Sequence, residues 1–170
     1  MTLPCITRTE SLELTAEDLA EIQGLRLRAA DFFVEVGDEP PTIESLESDL
    51  ADLPDGSTRA DEVIYRGYAD GVLVGYAEVL RGWPAEDSWV IGILLVDSAL
   101  RGSGFGHEIA EAVAHDAKAA GIRSLLVGVI SSRARSLAFW TREGFTTEVL
   151  RRPLTIGTTG HEVIRLERGL

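Results

Sequence analysis

The residues best suited to chemistry lie between Trp89 and Gly106, in the stretch WVIGILLVDSALRGSGFG. There Arg101-Gly102-Ser103-Gly104-Phe105-Gly106 joins an apolar run, Val90 to Val96, to a segment of helical periodicity. Strand, glycine loop and helix start, in that order, make a site for an anionic group. The first helical turn offers unpaired N–H groups and a partial positive charge, and missing Cβ atoms let phosphate oxygens come close. Spacing separates the phosphate loops that could be meant. A Walker loop needs Gly-Lys-Ser/Thr, and this chain has Phe105-Gly106-His107. A dinucleotide fingerprint needs G-x-G-x-x-G at the head of a βαβ unit, whereas here G-x-G-x-G follows an antiparallel-looking region. The pattern left is R-x-x-G-x-G; its plain alternative is a turn that only caps a helix.

Other reactive side chains are few. Glu78 shares a strand face with Val74 and Tyr76. An acid on an apolar strand face has a raised pKa suited to deprotonating an amine, unless it sits at a rim in water. Asp87 and Glu35 are further carboxylates that could serve as a base. His107, Glu111 and His115 follow one another at i, i+4 and i+8, but on a helical wheel they fall away from the apolar stripe of Ile109, Ala110, Val113, Ala114 and Ala117. They do not spell H-E-x-x-H and have no evident fourth ligand, so they read as a solvated face, with no metal site. Cys5 is the only cysteine, which excludes an intrachain disulfide and multi-cysteine zinc sites. With no histidine near it in sequence, it is not a candidate nucleophile.

The elements that must position these residues follow from periodicity and punctuation. The 170 residues suit one domain with a sizeable core, and 45% hydrophobic with 26% charged residues is ordinary globular composition. A net charge of −12 argues against nucleic-acid binding and is compatible with a cationic partner such as an amine. No signal peptide or membrane span is evident, so the expected location is the cytoplasm. A short strand is expected near Leu3–Arg8. A helix capped by Thr15 should run to about Val34, and Thr42 should cap a second one holding Ile43, Leu46 and Leu50. The connector from Glu35 to Pro41 carries three acids and reads as solvated. Asp70-Gly71 marks a hairpin between Val63–Ala69 and Val72–Leu80, and Trp89–Val96 extends it to a three-strand meander. A helix over about Gly104 to Ala120 leads to a strand at Ser124–Ile130, which should pair in parallel with Val90–Val96. Strands at Thr146–Arg151 and Glu162–Glu167, around a glycine-rich turn at Gly157–Gly160, close the chain.

R-x-x-G-x-G behind Leu94-Leu95-Val96-Asp97 resembles the acyl-CoA-binding motif of the GNAT superfamily of N-acetyltransferases. A second stretch, Arg133-Ala134-Arg135-Ser136-Leu137-Ala138-Phe139-Trp140-Thr141-Arg142-Glu143-Gly144-Phe145, is similar to the N-x-x-A-x-x-x-Y-x-x-x-G-F of that family. It departs at Arg133, Ser136 and Trp140. The tyrosine that Trp140 replaces is often the acid for the departing thiolate, and an indole N–H has no usable acidity. The likeness is good over about Val63 to Leu166 and only in outline before that.

The resemblance implies a single-domain α/β fold with a mixed, mostly antiparallel sheet flanked by helices, in which one parallel strand pair forms the CoA cleft. It implies acetyl-CoA as cosubstrate and direct transfer of the acetyl group to a small amine, cationic for instance, or to a protein amine. Leu94, Leu95 and Val96 would bind the pantetheine arm through their backbone. Arg101, Gly102, Ser103, Gly104, Phe105, Gly106 and Arg133 would hold the phosphates. Glu78 and Trp140 are the candidates at the reacting centre. Two other readings stay open: an acyl-CoA-binding regulator with little turnover, and an interaction domain without CoA. A homodimer is compatible with the sequence.

Overall fold

The computed structural model describes residues 4–170. Its strands are β1 (Cys5–Glu10), β2 (Glu62–Ala69), β3 (Val72–Arg81), β4 (Ser88–Val96), β5 (Ser124–Ile130), β6 (Thr147–Ile156) and β7 (Thr159–Gly169). They form one seven-stranded sheet in the order β1-β2-β3-β4-β5-β7-β6. All neighbours are antiparallel except β4 and β5, the parallel pair expected from the sequence. The helices are α1 (Ala16–Arg28), α2 (Asp31–Val34), α3 (Ile43–Ala51), α4 (Phe105–Ala119) and α5 (Ala134–Arg142). The expected N-terminal strand begins at Cys5; Leu3 lies outside the described residues.

Strand alternation sends successive side chains to opposite faces of the sheet. On one face, Val63, Tyr65, Ala77, Val79, Ile91 and Val127 pack with Ile109, Val113 and Ala117 of α4 and with Trp140 of α5. On the other, Ile64, Tyr76 and Leu95 are covered by Ile22 and Leu25 of α1 and by Leu46 and Leu50 of α3. Helices α1 to α3 thus cover strands β2 to β4 and do not cover the same face of β5, β7 and β6; there Ser124 and Leu126 of β5 are nonetheless buried, while β6 is almost wholly exposed. The Asp70-Gly71 turn has φ of 50° and 76°, as the hairpin required.

The helix expected to run from Thr15 to Val34 breaks at Ala29. Thr15 and Asp18 form the predicted capping box at its start. At its end the Ser98 hydroxyl donates to the Arg28 carbonyl at 2.6 Å, while the Arg28 guanidinium donates to Asp97 at 2.5 Å and to the Leu73 carbonyl at 2.6 Å. The last turn of α1 is thereby tied to the far end of β4, and α2 starts in a new direction. The periodicity of the sequence had no access to that long-range capture. Leu27 of α1 is exposed.

Candidate active site

Parallel pairing of β4 with β5 covers only Ser88↔Ser124 through Ile91↔Val127. Beyond it, the β3–β4 register skips Gly92, since Val79 faces Ile91 and Glu78 faces Ile93. A residue without a partner bends its strand. Ile93–Val96 therefore leave Gly128–Ile130, and a gap opens toward the C-terminal ends of both strands. The Asp97 N–H donates to the Val74 carbonyl at 2.9 Å. Antiparallel alternation then turns the Leu95 backbone toward β3 and those of Leu94 and Val96 into the gap. Unpaired strand groups of this kind suit an extended amide chain.

At the end of β4, the Asp97 carboxylate accepts from the Ala99 N–H at 3.0 Å and starts a short turn over Ser98–Leu100. Gly102 and Gly104 follow with φ of 83° and 92°, and a Cβ on either would meet nothing within 4 Å. Gly104 is the N-cap of α4, so Phe105, Gly106 and His107 present N–H groups that have no acceptor within the helix. A Cβ on Gly106 would come within 3.3 Å of the Phe139 ring, so this glycine lets α5 close on the loop. Ser103 is exposed on the turn. An open cradle of backbone donors at a helix N-terminus fits a pyrophosphate.

The two arginines of the motifs are engaged differently. Arg101 pairs with Asp31 of α2, its Nη2 donating at 2.8 Å, and this contact lowers the Asp31 pKa. Arg133, just before α5, donates to the Phe32 carbonyl at 2.8 Å and to Glu35 at 2.9 Å, with its guanidinium 4.8 Å from the Phe32 ring centroid. Both arginines hold the connector between α1 and α3. On its other side, a ring nitrogen of His161 lies 2.6 Å from the Val36 carbonyl oxygen. A Cβ on Gly157 would stand 2.7 Å from the Gly37 carbonyl oxygen, so the β6–β7 turn approaches as only glycine allows. The connector is exposed at Glu35 and from Gly37 to Pro40, as read, and is also clasped from α5 and from the β6–β7 hairpin. Its partners lie about a hundred residues away in sequence, beyond any local signal.

Glu78 lies on the α1–α3 face, one strand from the gap and level with the bulge. It is partly buried. Burial first, and then the Glu62 carboxylate, push its pKa up to about 8; Arg26 pulls the other way. Burial likewise raises Glu62. Arg26 is 2% exposed, donates to Asp49 at 2.6 Å and lies 4.7 Å from the Phe33 ring centroid. The Tyr76 hydroxyl is buried beside Glu78 and makes no hydrogen bond of normal geometry among the described residues. Sequence reasoning singled out Glu78 but missed Arg26 and Asp49. The available signal was a charged residue inside the buried stripe of Ile22, Leu25 and Ala29.

Trp140 is 8% exposed, and its ring meets Phe139 and Phe145 edge-on at centroid distances of 4.9 and 5.0 Å. It is a packed core residue of α5 whose indole N–H makes no hydrogen bond among the described residues.

The helix face read as solvated is only partly so. His107 Nδ1 lies 2.7 Å from the buried Glu143 carboxylate, which raises the His107 pKa, and Glu111 accepts from Arg168 at 2.6 Å. His107 and His115 are both exposed, and of the three only His115 makes no hydrogen bond or ion pair among the described residues. The ligand atoms of His107, Glu111 and Glu143 lie within 4.8 Å of one another, but ion pairs inside the protein already engage them. The groups bind α4 to α5 and β7.

The family model described as Acetyltransferase (GNAT) family matches residues 23–145. No curated protein matches the chain in sequence. Among solved structures, an acetyltransferase from Thermus thermophilus superposes with a TM-score of 0.74 at 21% identity, covering 100% of both chains. A ribosomal-protein-alanine N-acetyltransferase from Brucella melitensis gives 0.72 at 19% identity, over 98% of this chain and 99% of that one. A PaiA N-acetyltransferase from Thermoplasma acidophilum, in complex with coenzyme A, gives 0.68 at 15% identity with 98% and 99% coverage. These likenesses establish a shared fold.

Proposed function

The chain belongs to the GNAT family of acetyltransferases, and from that premise we propose that it moves the acetyl group of acetyl-CoA directly onto an amine of a small molecule or a protein. One observation carries the reading: the gap between β4 and β5 leads to an open glycine loop at the N-terminus of α4. The cosubstrate supplies an activated acetyl thioester. In this reading, the N–H groups at the start of α4 hold its pyrophosphate, and the gap-facing groups of Leu94 and Val96 hold its amide arm. The amine arrives from the α1–α3 face, beneath the connector clasped by Arg133 and His161. It must be neutral to attack, and Glu78 is the base that takes its proton, directly or through water. Three acids near the connector would favour a cationic acceptor, but Glu35 is already neutralised by Arg133. No helix among the described residues is long and apolar enough to cross a membrane, and a cytoplasmic site of action accords with that.

The test combines calorimetry of acetyl-CoA binding with thiol release against a panel of amino acids, polyamines, aminoglycosides and peptide N-termini. Binding together with amine-dependent thiol release is the expected result. Binding with no release from any amine would favour the regulator reading instead.

Trp140 separates those readings further. A thiol of ordinary pKa, about 8.5, is a fair leaving group without a dedicated acid. Trp140→Phe should keep its barrier within about 1 kcal/mol of the parent, because its ring still packs between Phe139 and Phe145. Single-turnover rates check this. A hundredfold loss with acetyl-CoA affinity intact, about 2.7 kcal/mol, would assign the indole a direct part in the chemistry.

A further inference from the structure

In this acidic chain most arginines pair with a carboxylate, as Arg66, Arg81, Arg151 and Arg168 do. Arg165 does not. Among the described residues its guanidinium has neither a salt-bridge nor a hydrogen-bond partner, and it lies 4.7 Å from the centroid of the Trp83 ring. It lines a hollow of about 370 Å³ floored by Leu126, Val149 and Leu150 and edged by Ser88, Ser124 and Glu167. The hollow lies on the sheet face that α1 to α3 leave open. Arg152 projects from the same face on β6, opposite Val163, and also lacks an ion-pair partner among the described residues. Burial, and then the positive charge of Arg152, lower the Arg165 pKa, so Arg165 is held in an apolar, like-charged setting.

Register relates this hollow to the reacting centre. Glu78 faces Ile93 on β4, and Arg165 faces Gly128 on β5, all on the same face. Gly92 and Gly128, both exposed, leave the floor between them without side chains. Strands lie about 4.8 Å apart, so the backbones of Glu78 and Arg165 stand roughly 14 Å apart or more across the splayed pair. The hollow runs from Arg165 toward Ser88 and Ser124, at the N-terminal ends of the parallel pair, so an acceptor with its amine toward Glu78 would lie along this face and bring its far end to Arg165.

We infer that Arg165, set on Trp83 and supported by Arg152, anchors a carboxylate carried by the acceptor, so that the amine substrates of this protein are amino acids in the broad sense. The inference rests on the acetyl-transfer reading only for where the amine lies. A planar guanidinium suits a carboxylate in two-point contact. The Glu167 carboxylate at the edge of the hollow opposes a dianion such as a phosphate monoester. The apolar floor fits a hydrocarbon spacer between amine and acid.

The test uses the full chain saturated with coenzyme A. It follows the indole N–H resonance of Trp83, assigned with Trp83→Phe, and the Nε–H resonance of Arg165. Probes are ω-acetamido carboxylates with spacers of roughly two to six methylenes, chosen to sample the interstrand span. Each is compared with its primary amide and with the corresponding ω-acetamidoalkyl phosphate. At least one carboxylate should move both resonances and bind about tenfold or more tighter than its amide, a preference that Arg165→Gln removes. The anchor is refuted if carboxylate and amide bind alike, if no probe moves the two resonances, or if the phosphate binds tightest. Should Arg165→Gln fail to fold, the comparison of probes on the parent protein still decides. Thiol release with the deacetylated probes keeps the two readings apart. Carboxylate-selective binding without release leaves the anchor and rejects acetyl transfer, whereas release indifferent to the carboxylate does the reverse.

Discussion

Gly104→Val is expected to abolish acetyl-CoA binding while the protein remains folded. Gly104 has φ of 92°, where a side chain is strained, and the cost of left-handed backbone is about 1–2 kcal/mol for an L-residue. That cost is a modest part of the several kcal/mol by which domains are stable. Apart from its chain neighbours, a Cβ there meets no protein atom within 4 Å, so a side chain would enter the open space at the start of α4. A phosphate oxygen seeking the N–H groups of that turn would need the same space. Losing two charge-assisted hydrogen bonds costs about 3 kcal/mol or more, a factor above a hundred in affinity. Gly104→Ala should fall between parent and valine variant. Calorimetry reads the affinity, and circular dichroism with a thermal melt verifies the fold. A folded valine variant that binds acetyl-CoA as tightly as the parent would mean that this loop is not the phosphate cradle.

Glu78→Gln is expected to lower turnover by about a hundredfold, the usual contribution of a positioned general base. The pH dependence makes the test specific. With its pKa near 8, Glu78 is mostly protonated at neutral pH, and the active form is the carboxylate. The rate at low acceptor concentration, once corrected for ionisation of the amine, should therefore rise through pH 8 and then level off. The glutamine variant should lack that rise. Stability moves in the opposite direction. A carboxyl whose folded pKa stands above its model value of 4.5 leaves the native state unpenalised below that pH, and stability is then lost as pH rises through the folded pKa near 8. Glutamine carries no charge and escapes that penalty, so Glu78→Gln should raise the melting temperature more at pH 8.5 than near pH 4.5. Its amide also removes the repulsion from Glu62. A variant that loses stability across the whole range, or keeps the parent's rate profile, would remove Glu78 from the role of base.

What the sequence determined by itself was local. Thr15 and Thr42 cap helices because a side-chain oxygen three residues before a free N–H is a local arrangement. Asp70-Gly71 turns the chain, and Gly104 opens α4, for equally local backbone reasons. The run Val90–Val96 followed by R-x-x-G-x-G was enough to place a strand, a glycine loop and the start of α4, and to anticipate the parallel pair. Tertiary structure decided everything that depends on partners distant in the chain. Gly92 lies inside the apolar run Val90–Val96, and pairing with β3 makes it the bulge from which the gap opens. Arg101 carried the family pattern and Arg133 departed from it, and ion pairing with Asp31 and Glu35 sets both on the connector between α1 and α3. Glu78 was one acid among several until burial and Glu62 set its pKa apart. Arg165 gave no signal at all in sequence. Its lack of an ion-pair partner among the described residues, on the face that the helices leave open, exists only once β7 has inserted between β5 and β6. Propensity and capping act over a few residues, whereas charge pairing, desolvation and strand register act through space.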